Sequence, residues 1–344
     1  MPRDCTRDVV RGLTSLEMTF VNVSSLRWTS HSGYIGHTTY ADTIFPCFAF
    51  LSGMSPAPAR RNLGLIGIGL GLHTLSATVN RKPVVRVPGV LQRLGVASLI
   101  ANEPCFAVLR CYHGAPLVIL WYAITLLGAS KIGASKISAN NPLAHPDYAG
   151  ADAAGIAQTR IDRLLFGDRL LAPSFDPEGL LGCLTTAVSM LVGRSFEEQK
   201  ELPASQKIMT GIGMIAAGEA LHLMLPKFAP ISKGLWTPSF LLVTSGVSIL
   251  KYLVIENVHP YLPAAVRNLL EAVGKRSLET YAISTLLIML FKLRGEKSFM
   301  ASGVGCLGSV IGPGWADFIM SLGLTGAVAA AANFLVSTDL RLRW

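Results

Sequence analysis

Two histidines and an aspartate crowd a short polar stretch between two apolar runs. His31, His37 and Asp42 lie there, with Asn22 closing the run before them. Imidazole ionises near neutrality, so it can take a proton from a nucleophile or attack an electrophilic carbon itself. Asn22 and Asp42 flank the loop at span ends, where either can orient a histidine or hydrogen-bond a bound molecule. Ionisable groups near a bilayer interface are costly unless they are paired or face a polar cavity, which marks the stretch as a candidate site. The same residues also read as wet interfacial histidines, and their chemistry alone leaves both readings open.

The elements that must position these residues follow from composition. The chain has 344 residues, of which 51% are hydrophobic and 15% charged, and its mean hydropathy is +0.46. A soluble domain carries about a quarter charged residues. Repeated apolar runs near membrane length instead predict an all-α, polytopic transmembrane helical bundle of about 10–11 spans, forming a single domain over 1–344. Spans are expected near residues 9–26, 39–56, 62–79, 88–109 and 115–128. Further spans are expected near 179–193, 207–225, 235–255, 276–291 and 315–336, and the Gly-rich piece 302–314 is a re-entrant turn or part of another span. The polar region 129–176, with a helical patch at 151–166, is long enough to cover something rather than merely link.

The formal charge of +9 is spread over loops without a dense basic block, which argues against nucleic acid as a partner. Six scattered cysteines form neither a metal-site spacing nor a disulfide framework, although Cys105 and Cys111 are close enough in sequence to pair. The first span is too polar for a cleavable signal, and none is expected. With the chain starting inside, Lys and Arg divide evenly between the two sides, so they do not set the orientation. Arg86 and Arg93 flank a short entry segment, where they bind an anionic ligand or simply snorkel at a helix end. Asp176 and Glu178 precede a span and read as a helix cap. Glu219 and His222, one turn apart, read as a structural pair inside a span.

Five blocks then carry a resemblance. Residues 85–95 (VRVPGVLQRLG) resemble the R-(I/V)-P-G-V-L-Q-R-(L/I)-G signature of the heparan-α-glucosaminide N-acetyltransferase family and its microbial relatives. In the same order, residues 8–22 are similar to D-x-x-R-G…F-V-N, and 41–53 to A-D-L-V-F-P-x-F-x-F-x-x-G. Residues 176–182 resemble D-P-E-G-x-L-G, and 230–240 resemble P-(I/V)-x-K-x-L-W-T-x-S-(F/Y). The matches run from residue 8 to about 281, collinear over most of the chain.

The resemblance implies a multi-span acyltransferase that passes acetyl from acetyl-CoA to an acceptor amine of a sugar, possibly across the bilayer, with no metal. The animal members act on heparan sulfate in the lysosome and are homodimers. This sequence has no stretch for their large lumenal domain and is expected to be of the microbial type, in a vacuolar, lysosomal or plasma membrane. The family's catalytic His lies ten residues before the Asp of A-D-L-V-F-P. Here His31 lies eleven before Asp42, one inserted residue accounting for the offset, and His37 only five before it. His31 is therefore the expected base or acetyl carrier, His37 the runner-up, with Asn22 and Asp42 beside it. The resemblance further places Arg86, Gln92, Arg93, Lys233 and Trp236 at CoA, cations meeting its phosphates. Asp176 and Glu178 are left for a cationic or hydroxyl-rich acceptor, or as a cap. Two departures touch this set: Arg276 stands where the family has Asn, and Gly234 where it has Asn. A small-molecule transporter and a non-catalytic membrane protein of the same fold remain rival readings.

Overall fold

The computed structural model describes residues 4–31, 38–130, 157–171, 176–226, 228–291 and 299–338, and all structural statements concern these. Among them are thirteen α-helices and no strand. The chain divides into two compact units. The first comprises Met1–His31, Thr39–Ile44 and Lys251–Trp344; the second comprises Ser32–Thr38 and Phe45–Leu250.

In the first unit, α1 (Cys5–Val23) packs against α10 (Ala264–Lys275), α11 (Ser277–Phe291) and α13 (Pro313–Ser337), and α12 (Phe299–Ile311) packs on α13. Asp4 caps α1 by accepting the Arg7 N–H, which satisfies one of the N–H groups a helix start leaves open. Lys251 pairs with Glu17 of α1, and the Tyr252 hydroxyl donates to Asp4 at 3.1 Å. Helix α10 was not expected from the sequence. It is amphipathic and carries Arg267, Glu271 and Lys275, so no apolar run announces it, yet it buries Leu270, Ala272 and Val273.

The second unit holds most of α2 (Tyr40–Gly53), then α3 (Ala59–Val79), α4 (Val90–Asn102) and α5 (Ala107–Ser130). It continues with α6 (Ala157–Phe166), α7 (Gly182–Glu198), α8 (Ala204–Met224) and the first part of α9 (Pro238–Val258). Its core gathers Phe45, Ala49, Ala97, Leu117, Met190 and Trp236. Helices α2 and α7 touch backbone to backbone: a Cβ on Gly53 would lie 1.8 Å from the Met190 carbonyl oxygen, and one on Gly193 would lie 1.9 Å from that of Phe50. Small residues at such crossings are how helices approach closely when apolar burial gives no preference over lipid. Inside α5, Cys111–Gly114 leave helical geometry, with Tyr112, His113 and Gly114 at positive φ. The break falls between the expected fourth and fifth spans.

Four helices are long and apolar enough to cross a membrane: Ala59–Val79, Pro104–Leu126, Pro238–Tyr261 and Pro313–Ser337. Ser277–Phe291 and Phe299–Ile311 are apolar but shorter. The protein is an all-α integral membrane protein. Three of the other expected spans map onto shorter helices, α2 with 14 residues, α4 with 13 and α7 with 17, while α1 has 19 and α8 has 21. A Gly53→Val substitution should lower stability by about 1–3 kcal/mol through overpacking. The thermal midpoint in detergent reads this, and an unchanged midpoint would refute the close crossing.

Candidate functional site

The first unit places His31 and Asp42 together. The His31 Nδ1 lies 3.1 Å from Asp42 Oδ1, with Asp42 fully buried and the His31 side chain 48% exposed. Asp42 sits three residues into α2 and accepts the Thr39 N–H at 3.0 Å and the Thr39 hydroxyl at 2.9 Å through Oδ2. One carboxylate thus closes the helix start and holds the imidazole, with the charge favourably near the N-terminal N–H groups. A proton on Nδ1 facing Asp42 puts the ring's lone pair on Nε2, the arrangement that a base or nucleophile requires. Asn22 is exposed in the last turn of α1. His37 lies outside the described residues.

The chain between Asn22 and His31 is pinned by a residue that the sequence reading passed over. Asp317, 5% exposed on α13, accepts from Ser24 Oγ at 2.8 Å, from Ser25 Oγ at 2.6 Å and from the Ser25 N–H at 3.0 Å. A lone carboxylate inside an apolar span was the signal available. Arg276, one of the two family departures, is buried at the end of α10. Its guanidinium reaches the Leu335 carbonyl at 3.3 Å and Glu279 at 3.5 Å.

The second unit gathers the other expected residues, but as partners of one another. Arg86 donates to both oxygens of fully buried Asp176, Nε to Oδ2 at 2.9 Å and Nη2 to Oδ1 at 2.5 Å. The same carboxylate accepts the N–H groups of Leu171 and Glu178 at 2.8 and 2.9 Å. The expected helix cap is therefore corrected: α7 starts at Gly182 without a side-chain cap, and Asp176 instead organises the turn before it. Arg93, 2% exposed, donates to the Pro177 and Gly179 carbonyls at 2.7 and 3.0 Å and lies 5.2 Å over the Trp236 ring. Its Nε is 3.7 Å from Glu178 Oε2, an ion pair longer than a hydrogen bond.

Trp236 is fully buried at positive φ and meets Phe45 and Phe240 edge-on. Its turn also holds half-buried Lys233 and Gly234. Gln92 approaches His73 at 3.4 Å. Of the cations expected at phosphate, Arg93 is enclosed by carbonyls and an indole, whereas Arg86 keeps 22% of its side chain exposed. Arg86 is therefore more open to solvent than Arg93.

Other expectations resolve simply. Glu219 is exposed and His222 Nδ1 has no hydrogen-bond partner, so the pair is not made through that atom. None of the six cysteines forms a disulfide, Cys105 and Cys111 included. An apolar cavity of about 680 Å³ lies among α5, α7, α8 and α9, and none of the expected site residues lines it.

One acidic group of this unit went unnoticed in the sequence because it sits within the polar region. Asp162, fully buried on α6, accepts the Leu180 N–H at 2.9 Å. Burial pushes its carboxyl up to about 6; the Leu180 bond and Arg93 pull it down, and the Asp176 charge pushes it up.

No family model matches the chain. It is distantly similar to two curated N-acetyltransferases. It is 25% identical to mouse heparan-α-glucosaminide N-acetyltransferase, covering 80% of this chain and 53% of that protein, and 24% identical to the human one, covering 81% and 54%. The chain thus spans about half the length of these relatives.

Because the folded state holds the Asp162 proton more tightly than the unfolded chain, this group favours folding most below pH about 4. That contribution is lost as pH rises from about 4 to 6. The loss is on the order of 2–3 kcal/mol. Asp162→Asn keeps an acceptor for Leu180 and should flatten stability against pH in that window. A slope identical to wild type would contradict the assignment.

Proposed function

We propose that the chain is a membrane-embedded acetyltransferase that moves an acetyl group from acetyl-CoA to an acceptor amine of a sugar. The observation that carries this reading is the His31–Asp42 pair, with the distant likeness to the two N-acetyltransferases in support. In the direct route the amine nitrogen attacks the thioester carbonyl carbon, His31 Nε2 takes the amine proton, and the C–S bond breaks to release CoA. In the two-step route Nε2 attacks first, forming an acetyl-imidazole and releasing CoA, and the amine then takes the acetyl group. Asp42 stabilises the imidazolium in either case.

Arg86 and Lys233, with Gln92 nearby, are assigned to the donor's phosphates by charge. Arg93 holds the turn that carries Glu178 and lies over Trp236 in the turn that carries Lys233. Glu178 is left for a cationic or hydroxyl-rich acceptor, while Asp176 is engaged with Arg86. Asn22 is assigned to orienting the acceptor, and the family resemblance implies a homodimer in a vacuolar, lysosomal or plasma membrane. A transporter is the second reading, favoured by the broken backbone of α5, since interrupted apolar helices build substrate sites in transporters. Saturable CoA binding without transfer to any amine, coupled to flux in vesicles, would select it.

His31→Ala should cut acetyl transfer from radiolabelled acetyl-CoA to a panel of amino sugars by about two to four orders of magnitude, with CoA affinity kept. Loss in His37→Ala instead, with His31→Ala active, would move the role to His37. Wild-type activity in both would exclude histidine catalysis from this loop. For the donor, Arg86→Ala/Asp176→Asn removes the buried pair without stranding a charge. Recovery of folding with CoA affinity still weakened about tenfold or more is the expected result. Full recovery of affinity would make Arg86 structural only.

A further inference from the structure

Helix α6 carries two buried polar side chains that reach both turns of the second-unit cluster. Gln158 is 1% exposed, and its Nε2 donates to the Asp176 carbonyl at 3.4 Å and to the Gly234 carbonyl at 3.2 Å. Asp162, four residues on and therefore on the same helix face, accepts the Leu180 N–H. Gly179 lies directly beneath: a Cβ there would stand 2.0 Å from Asp162 Oδ2 and 2.9 Å from Gln158 Nε2. One turn, Asp176–Leu180, carries Glu178 and takes the bonds from Arg86. The other, Ser232–Thr237, carries Lys233 and Trp236.

Gln158 is bonded to both turns, and Asp162 to the first. Arg93 runs parallel to this tie, holding the first turn by its carbonyls and lying over the indole of the second. Helix α6 also places Gln158 Oε1, Thr159 Oγ1 and Asp162 Oδ2 in the interior without hydrogen-bond partners. Packing alone does not select such atoms, since unsatisfied buried polar groups are rare and costly.

We propose that Gln158 is a positioning residue that locks the Asp176–Leu180 turn to the Ser232–Thr237 turn, so that α6 sets the geometry in which Arg86, Glu178 and Lys233 meet a bound molecule. The tie itself follows from the bonds above; only the identity of the bound molecule rests on the donor reading of the preceding section. The long polar region between α5 and α7 thereby gains a specific task, carried by a short helix.

Hydrogen exchange on the full-length protein in detergent tests this, with Gln158→Met removing both donors while keeping the shape. Amides of Gly179 and Leu180 and of Leu235 and Trp236 should exchange about tenfold faster together. In Asp162→Ala only the first pair should speed up, and Asp162→Asn, which restores the acceptor, should return it to the wild-type rate. Acceleration of one turn alone in Gln158→Met, or a uniform rise through α7 and α9, would overturn the proposal. Should Gln158→Met fail to accumulate, Gln158→Leu, which also lacks the amide donor, is read in the same way. In the transfer assay Gln158→Met should raise KM for acetyl-CoA about tenfold with kcat little changed; a fall in kcat at constant KM would contradict a positioning role. Absence of CoA binding in the wild-type protein would defeat the donor reading and leave the exchange result to judge Gln158 by itself.

Discussion

Charged groups withdrawn from water need hydrogen bonds or opposite charge in its place, and this constraint shapes both candidate sites. Asp42, Asp176 and Arg93 are all but inaccessible, and each is held by several partners. Desolvating a carboxylate or guanidinium costs several kcal/mol unless such bonds replace the water. The outcome is rigidity at the points where chemistry is expected. Asp42 cannot swing away from His31 without giving up the Thr39 bonds that close the start of α2. Asp176 cannot leave Arg86 without unmaking the turn that leads to Glu178.

The same requirement explains why residues of opposite expected roles sit on one another. Arginines that a sequence reader assigns to an anion, and aspartates assigned to a cation, neutralise each other when both are pulled into the interior. Arg93 goes further, exchanging solvent for two carbonyls and the face of an indole, a setting that suits a planar and weakly hydrated cation. Arg86 differs in keeping 22% of its side chain exposed beside its partner.

Much of the fold was legible in the apolar runs. The limits of α2, α3, α8 and α9 fall within a few residues of the expected spans, because a run of membrane length between polar turns admits few other structures. Helix α10 was not legible, since its apolar face alternates with Arg267, Glu271 and Lys275 and matches no span. At the sites, the His31–Asp42 pairing was legible because eleven residues of loop and helix start separate the two. The Arg86–Asp176 bond was not, because the two lie ninety positions apart and nothing local distinguishes a buried partner from a helix cap. Asp317 and Asp162 were missed for a similar reason: each is a single carboxylate whose meaning lies in segments far off in the chain.

The central claim is that Asp42 holds His31 as the tautomer with its lone pair on Nε2. Nitrogen-15 NMR of protein with labelled imidazoles, with the His31 signals assigned by their loss in His31→Gln, measures this directly at neutral pH. Nδ1 of His31 should be protonated and Nε2 unprotonated, with the preference lost in Asp42→Asn. A proton found on Nε2 of neutral His31 in the wild-type protein, or a preference untouched by Asp42→Asn, would contradict it.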